Sequence, residues 1–290
     1  MSVVLITGCS SGFGKLAATE ITAAGHIVVA TMRGINDKNK SAADDLLNSG
    51  VAHVVELDVT DEHSVNKGAE TALKLAGQVD VIIHNAGYGV SGVVEASTPE
   101  QFTAIMDVNV IGVHRLNRAL LPHMRARNSG LLIYVSSGLG RTVLPYSSIY
   151  CASKYALEAY AESLSYELCT HGIDSSILEP GAYPSNYRSN VQEPDDPSRL
   201  ADYEIEQAEA NRIHSNISEM LASEMAPDPR DVTGAMLTVM SLPPGERPLR
   251  VALRRDAGGL KMINQICGEV QGALLRGMAL GHRISKRPQL

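Results

Sequence analysis

Two side chains four residues apart, Tyr150 and Lys154, could together move a proton. That spacing puts them on one face of a helix. A free phenol titrates at about pH 10, too high for efficient exchange at neutrality, whereas an ammonium within a few ångströms favours the phenolate and lowers that value. Ser136 and Ser137 precede the tyrosine by fourteen and thirteen residues and add candidate hydroxyls. Alone, such a pair would usually be surface decoration, so its meaning depends on what lies upstream. Thr7-Gly8-Cys9-Ser10-Ser11-Gly12-Phe13-Gly14 follows the first apolar run directly and opens a helical pattern. Glycines let the backbone turn tightly and approach a pyrophosphate, while the helix start offers N–H donors and the positive end of its dipole. A single glycine at a strand-to-helix turn says little, but the TGxxxGxG spacing in this context is a strong dinucleotide signal.

The second apolar run ends Ala30-Thr31-Met32-Arg33-Gly34, where dinucleotide folds place an acid on the ribose 2′-hydroxyl. No carboxylate is present there. Arg33 instead offers a planar fork of donors suited to a 2′-phosphate, so NADP(H) is expected over NAD(H), with NAD(H) still usable. The glycine loop lacks a second basic residue, which moderates the expected preference.

Elements that could position these groups alternate along the chain. β-rich runs at Val3–Thr7, Ile27–Met32, His53–Leu57, Val79–His84, Leu131–Ser136, Ser175–Glu179 and Leu249–Leu253 are separated by helical stretches. Near-continuous Val, Ile and Leu in most of them predicts strands covered on both faces, hence a parallel α/β sheet of seven strands. Thr98-Pro99-Glu100-Gln101 predicts a helix start, with Thr98 as N-cap, Gln101 reaching back to it, and the helix running towards Pro122. Residues 183–225 break the rhythm just after a strand, where open α/β sheets bind ligands, and read as a substrate lid. Ile205, Ile213, Ile217, Met220 and Leu221 could line a pocket there or simply pack a surface helix.

A chain of 290 residues, 44% apolar and 20% charged, can bury one substantial core, and a single domain over residues 1–290 is expected. A net charge of -7 argues against nucleic-acid binding, which needs a basic face. Cys9, Cys151, Cys169 and Cys267 lie far apart, without metal spacing; they read as free thiols, small and buried, in a reducing cytoplasmic compartment. Scattered histidines suggest no metal site. No apolar run is long enough for a membrane span. Residues 186–225 carry nine acidic side chains against three basic, and residues 250–290 eight basic against two acidic. Solvated faces are the simpler reading of both blocks. Leu260, Ile263, Ile266, Val270 and Leu274 predict an amphipathic helix in the C-terminal extension, packed on the core or on a second subunit. Attachment to an anionic membrane surface is the lesser alternative.

With these motifs the chain resembles the short-chain dehydrogenases/reductases, from Val3 to about Ser185 and again at the last strand. TGCSSGFG, ATMRG and YCASKYALE look most like the 17β-hydroxysteroid and retinol dehydrogenase branch and its microbial relatives. The resemblance implies a doubly wound Rossmann fold with strand order 3-2-1-4-5-6-7, a homodimer or homotetramer, and interconversion of a secondary alcohol and a ketone. It implies a tetrad of Asn109, Ser137, Tyr150 and Lys154. Ser137 and Tyr150 would hold the substrate oxygen, Tyr150 would transfer the proton, Lys154 would bind the nicotinamide ribose, and Asn109 would hold a relay water. It further implies that Asp58 and Val59 hold the adenine, that Asn85, Ala86 and Gly87 flank the cofactor, and that Pro180 and Gly181, followed by Ser185, frame the nicotinamide. His84 replaces an asparagine of the family pattern, with no chemical role expected. Relatives of this branch favour neutral lipophilic substrates, and an acidic lid would repel anionic ones. Two rivals stand beside this reading. One is an NADP-binding regulatory or redox-sensing protein without turnover, against which the intact Ser137, Tyr150 and Lys154 speak. The other is a nucleotide-sugar epimerase or dehydratase, whose usual TGxxGxxG spacing differs from the one here.

Overall fold

A computed structural model describes residues 1–185, 190–253 and 257–284. Residues 186–189 of the lid segment, and 254–256 and 285–290 of the C-terminal extension, lie outside the described residues. In β1 (Val3–Thr7) the alternation of a pleated strand sends Val4 and Ile6 into one apolar layer and Val3 and Leu5 into the other. Both faces being covered is why Val3 to Ile6 are apolar without a break. β2 (Ile27–Met32), β3 (His53–Glu56), β4 (Val81–His84), β5 (Gly130–Val135), β6 (Ile173–Pro180) and β7 (Arg250–Leu253) complete one parallel sheet, ordered β3-β2-β1-β4-β5-β6-β7. The expected strand number and order are both found.

Helices α1 (Gly12–Ala23) and α9 (Arg230–Ser241) contact each other on one face, while α3 (Glu62–Ala76), α5 (Gly112–Ala126) and α6 (Ser148–Leu168) cover the other. α2 (Lys40–Asn48) lies between β2 and β3 in the chain, and α4 (Pro99–Met106) precedes α5. Thr98 caps α4 by accepting from the Gln101 backbone N–H at 3.1 Å. The Gln101 side chain does not reach back, as the sequence suggested; it donates to the Glu193 carbonyl at 2.7 Å and ties the lid segment down. The helical stretch does run towards Pro122 and four residues past it, since Pro122 lies inside α5. Between α4 and α5 the helix widens into a π-helical turn, Asp107–Ile111, carrying Asn109. Such turns concentrate at functional sites.

After β6 come a short α7 (Pro197–Leu200) and a long α8 (Glu204–Ala222). The start of this segment is pinned: Ser91 N–H donates to Gln192 O at 3.0 Å, Gln192 N–H to Gly89 O at 2.9 Å, and Asp196 N–H to Ala96 O at 2.9 Å. α10 (Gly258–Gly277) follows β7. Its contact with the core runs through Leu260, Asn264, Gly272 and Leu275, whereas Ile266, Val270 and Leu274 are exposed, contrary to packing of the whole apolar set on the core. No helix among the described residues is long and apolar enough to cross a membrane.

Candidate active site

A cleft of about 1660 Å³ opens at the carboxyl ends of the strands and is lined along its length by the glycine loop, the ends of β2 to β6, the start of α6 and the lid segment. Gly8, Ser10, Ser11, Gly12 and Phe13 line it. Gly8 sits at φ +73°, and a β-carbon there would lie 2.9 Å from Ala86 Cα. Gly14 is buried behind the loop, where a β-carbon would come within 2.5 Å of Asn85 Nδ2 and closer still to the Gly8 carbonyl. At Gly8 and Gly14 the loop therefore has no room for a side chain, which keeps the turn tight enough for a pyrophosphate to approach the backbone closely. Thr7 and Asn85 brace it. Thr7 Oγ1 accepts from the backbone N–H groups of Asn85 and Ala86, both at 3.0 Å, and Asn85 Nδ2 donates to Thr7 O at 2.8 Å and Gly8 O at 3.2 Å. Ser185 faces Gly12, its β-carbon 4.0 Å from where a Gly12 side chain would start.

At the end of β2, Met32 is buried and Arg33 is exposed on the cleft rim, with Nη1 3.6 Å from Asp58 Oδ2. Burial would raise the Asp58 carboxyl, but hydrogen bonds from Thr60 N–H and Oγ1 and the Arg33 charge outweigh it and hold it below the usual range. Lys38, in the loop after β2, lines the same cleft and supplies a second cation that the glycine loop lacks. The sequence reading missed it because a turn, and no motif, brings it back; Asn39 Nδ2 donates to Arg33 O at 2.6 Å and closes that turn. Val59 is set by Gly112 of the Asn-Val-Ile-Gly stretch, whose missing β-carbon would lie 2.8 Å from Val59 Cβ.

Tyr150 and Lys154 occupy the first two turns of α6, both buried, and both line the cleft. Tyr150 is wedged among Val90, Ile105, Ile149, Tyr88 and Leu139. Lys154 Nζ lies 5.9 Å from the Tyr150 ring centroid and donates to Val135 O at 2.9 Å. Burial pulls the Lys154 ammonium down to about 8, a shift that the nearby Glu158 charge resists. The two adjacent serines differ in setting. A β-carbon on Gly140 would lie 2.8 Å from Ser136 Oγ and 2.9 Å from Glu158 Cγ, which puts the Ser136 hydroxyl beside Glu158, behind the cleft. Ser137 Oγ instead caps the turn that follows, accepting from Leu139 N–H at 3.1 Å.

Asn109 braces the floor. Its Oδ1 accepts from Tyr88 N–H at 3.1 Å, and its Nδ2 donates to Tyr88 O and to Ser153 Oγ, each at 3.0 Å. Both amide hydrogens are thus engaged within the protein. A β-carbon on Gly87 would stand 3.0 Å from Asn109 Oδ1 and 3.6 Å from Lys154 Nζ, which explains that glycine. Pro180 ends β6, and Gly181 N–H donates to Leu253 O at 2.9 Å. His84 is stacked on Tyr134 with centroids 5.0 Å apart and bonded to Asn117 at 2.9 Å; burial lowers it to about 4, so it is neutral and structural.

The outer wall is apolar: Val90, Leu144, Ile213, Ile217, Met220 and Leu221 line it. Ile205 does not join them, being 73% exposed on the outer side of α8. Two polar contacts cross this wall and were not legible in the sequence. Tyr146 OH donates to Glu209 at 2.6 Å, and His214 Nε2 pairs with Ser91 Oγ at 2.8 Å, so α8 rests on the loops beneath it through residues far apart in the chain. Of the four thiols, Cys9 and Cys151 are buried as expected, and burial lifts Cys9 to about 12; Cys267 is exposed.

A doubly wound sheet with a glycine cradle and a Tyr–Lys helix on one cleft is the architecture of a nicotinamide-dependent dehydrogenase, and comparison with known proteins agrees. The short chain dehydrogenase family model matches residues 2–196, and the chain belongs to that family. It is 36% identical over 249 residues to mouse 17-beta-hydroxysteroid dehydrogenase type 1, covering 83% of this chain and 71% of that one. Human retinol dehydrogenase 8 is 32% identical over 244 residues, covering 82% and 77%. The solved short-chain dehydrogenase from Streptomyces avermitilis superposes with a TM-score of 0.75 at 30% identity, over 97% of this chain and 98% of that one. Relatives from the expected branch are therefore found.

Proposed function

We propose that this protein interconverts a secondary alcohol and a ketone on a neutral, lipophilic substrate, using NADP(H) in preference to NAD(H), in a reducing, cytoplasmic setting. The observation that carries the reading is one cleft bearing Tyr150 and Lys154 on α6 and two cations, Arg33 and Lys38, beside a β2 end that has no carboxylate. The cradle of Gly8, Gly12 and Gly14, with Ser10 and Ser11, fits a pyrophosphate. Asp58, Val59, Asn85, Ala86 and Gly87 fit the rest of the dinucleotide, with Pro180, Gly181 and Ser185 beside its reactive end. Bound there, the nicotinamide would give or take the hydride. The protein's own part is proton transfer and charge stabilisation. Tyr150 OH and Ser137 Oγ hold the substrate oxygen, and Tyr150 passes the proton to the developing alkoxide. Lys154 stabilises the phenolate that remains. Asn109, with its side chain committed to Tyr88 and Ser153, holds the floor under Lys154. The apolar wall of Ile213, Ile217, Met220 and Leu221 suits a lipophilic body, and the acidic lid disfavours anions.

Screening purified protein with NADPH and NADH against steroid, aromatic and aliphatic ketones tests this reading. A higher kcat/KM with NADH across all active substrates would overturn the cofactor assignment. A charge-assisted hydrogen bond to phosphate is worth roughly 1.5 to 3 kcal/mol, so Arg33→Ala is expected to weaken NADPH by about tenfold to a hundredfold and leave NADH nearly unchanged. Lys38→Ala should act in the same direction and more weakly, since a lysine makes a point contact where arginine makes a fork. Equal effects on both cofactors would remove these residues from the phosphate.

A further inference from the structure

The turn that carries Lys38 back to the cleft is gripped from outside by an acid that the site does not otherwise use. Glu56 ends β3, the edge strand of the sheet, and pairs in register with Met32 at the end of β2. Its Oε1 accepts from Gly34 N–H at 2.7 Å and its Oε2 from Ile35 N–H at 2.9 Å, so one carboxylate holds two successive amides. Gly34, at φ +65°, turns those amides towards one side, and such a pair makes a seat for an anion. Its carbonyl is engaged as well, accepting from Asp37 N–H at 3.2 Å and Asn39 N–H at 2.9 Å. A β-carbon on Gly34 would meet Asp37 Oδ1 and would lie 2.9 Å from Lys38 Cγ and 3.2 Å from Lys38 Cε. The lysine stem thus lies across the bare α-carbon. Arg33, Lys38 and Asn39 line the cleft, whereas Gly34, Ile35 and Glu56 do not.

We propose that Glu56 is a positioning residue for the cofactor's 2′-phosphate, acting from behind the turn by fixing Gly34 so that Lys38 is held beside Arg33. The inference rests on the NADP(H) reading above and supplies what that reading leaves open, which is how an exposed lysine outside any motif is kept at the phosphate. A free lysine stem loses rotamer freedom when its ammonium grips an anion. A stem already laid over Gly34 has given up part of that freedom beforehand, so the contact it makes is stronger. Both amides of the turn are taken by Glu56, which leaves the phosphate to side chains alone, the fork of Arg33 and the ammonium of Lys38. Selectivity then depends on where the turn puts those side chains. The carboxylate has the same sign as the phosphate, yet it stays outside the cleft on its own two donors and does not compete for the cations. A clasp that only tied β2 to the sheet edge would serve both cofactors equally.

Calorimetric titration of the full chain with adenosine 2′,5′-bisphosphate and with 5′-AMP isolates the phosphate, because the two fragments differ in nothing else and neither needs a substrate. The wild type is expected to bind the bisphosphate more tightly. Glu56→Ala should weaken the bisphosphate by about threefold to tenfold, part of the worth of one charge-assisted contact, and leave 5′-AMP within about twofold. Glu56→Gln keeps one acceptor and should lose less. In steady state the KM for NADPH should rise in Glu56→Ala while kcat holds. In a Lys38→Ala background the Glu56→Ala loss should shrink, since the side chain it positions is gone. Four results would overturn the proposal alone: no loss in Glu56→Ala, equal losses for both fragments, an undiminished loss in the Lys38→Ala background, or tighter bisphosphate binding, which would make the carboxylate a competitor of the phosphate. A wild type that binds 5′-AMP as tightly as the bisphosphate would overturn the NADP(H) reading together with it.

Discussion

Tyr150→Phe is expected to lower kcat for ketone reduction by roughly a hundredfold to ten-thousandfold, the usual worth of a positioned proton donor, while the Kd for NADPH stays within about twofold of wild type. The split follows from the structure. The tyrosine sits in an apolar wedge at the start of α6, remote in its contacts from the loop of Gly8 to Gly14, and phenylalanine fills the same volume. Nucleotide titration by fluorescence, beside steady-state rates, separates the two effects. A variant retaining a tenth of wild-type kcat would show that another group delivers the proton. The pH profile adds a second reading of the same site. Lys154, drawn down to about 8 by burial, carries its charge below that pH and loses it above. With the ammonium gone, nothing balances a phenolate at Tyr150, so kcat/KM for reduction by the free enzyme should fall as pH rises through about 8. Lys154→Arg, whose charge does not titrate in this range, should retain little activity because the single bond to Val135 O requires the slimmer head group. Its residual rate should nonetheless lose the falling limb near 8.

What could be read from the sequence was whatever local pattern encodes. β1 and its glycine turn are adjacent in the chain, and so are Tyr150 and Lys154, so periodicity and spacing were enough to place them. The seven strands were legible because burial on both faces fills most of them with Val, Ile and Leu. Where several segments meet, the local pattern failed. Glu158, one turn beyond Lys154, drew no attention in the sequence, yet α6 packs against the sheet and both side chains are buried. Lys38, Tyr146 and His214 reach the cleft by turns or from a distant helix, with no spacing to announce them. Gln101, read as a local cap, bonds to a carbonyl 92 residues away. The apolar residues of α10 were visible as a set, but periodicity could not tell the side that faces the core from the side that faces away.

The buried charges behind the site yield the largest expected effect on stability. Arg250, at the start of β7, donates through Nε to Glu158 Oε2 at 2.9 Å and through Nη2 to Glu162 Oε2 at 2.7 Å, and its Nε lies 3.5 Å from Glu179 Oε1. The side chains of Arg250, Glu158 and Glu179 are 7%, 2% and 0% exposed, so one guanidinium neutralises carboxylates that water does not reach. Burial pushes Glu179 up to about 7, the Glu158 charge adds to that, and Asn264, Arg250 and Arg141 oppose it; burial raises Glu158 as well. Arg250→Met removes the cation and leaves the acids. Breaking a buried pair in this way costs about 3 to 5 kcal/mol, which for a chain of this size lowers Tm by on the order of 10 °C. The sign of the pH dependence follows from the raised values. A carboxyl that holds its proton more tightly when folded adds stability at low pH and loses it as pH rises through its folded pKa, here between about 4.5 and about 7 for Glu179. Without Arg250 both acids hold their protons more tightly still, so the Tm deficit should be smallest near pH 5 and widest near pH 8. Adding Glu158→Gln to Arg250→Met should recover part of the loss, since it removes a charge that no longer has a partner. Calorimetry of the single and double variants across that pH range checks all three expectations. A deficit that is flat with pH, or a double variant less stable than Arg250→Met alone, would mean that the arginine acts by packing its stem and not by neutralising these acids.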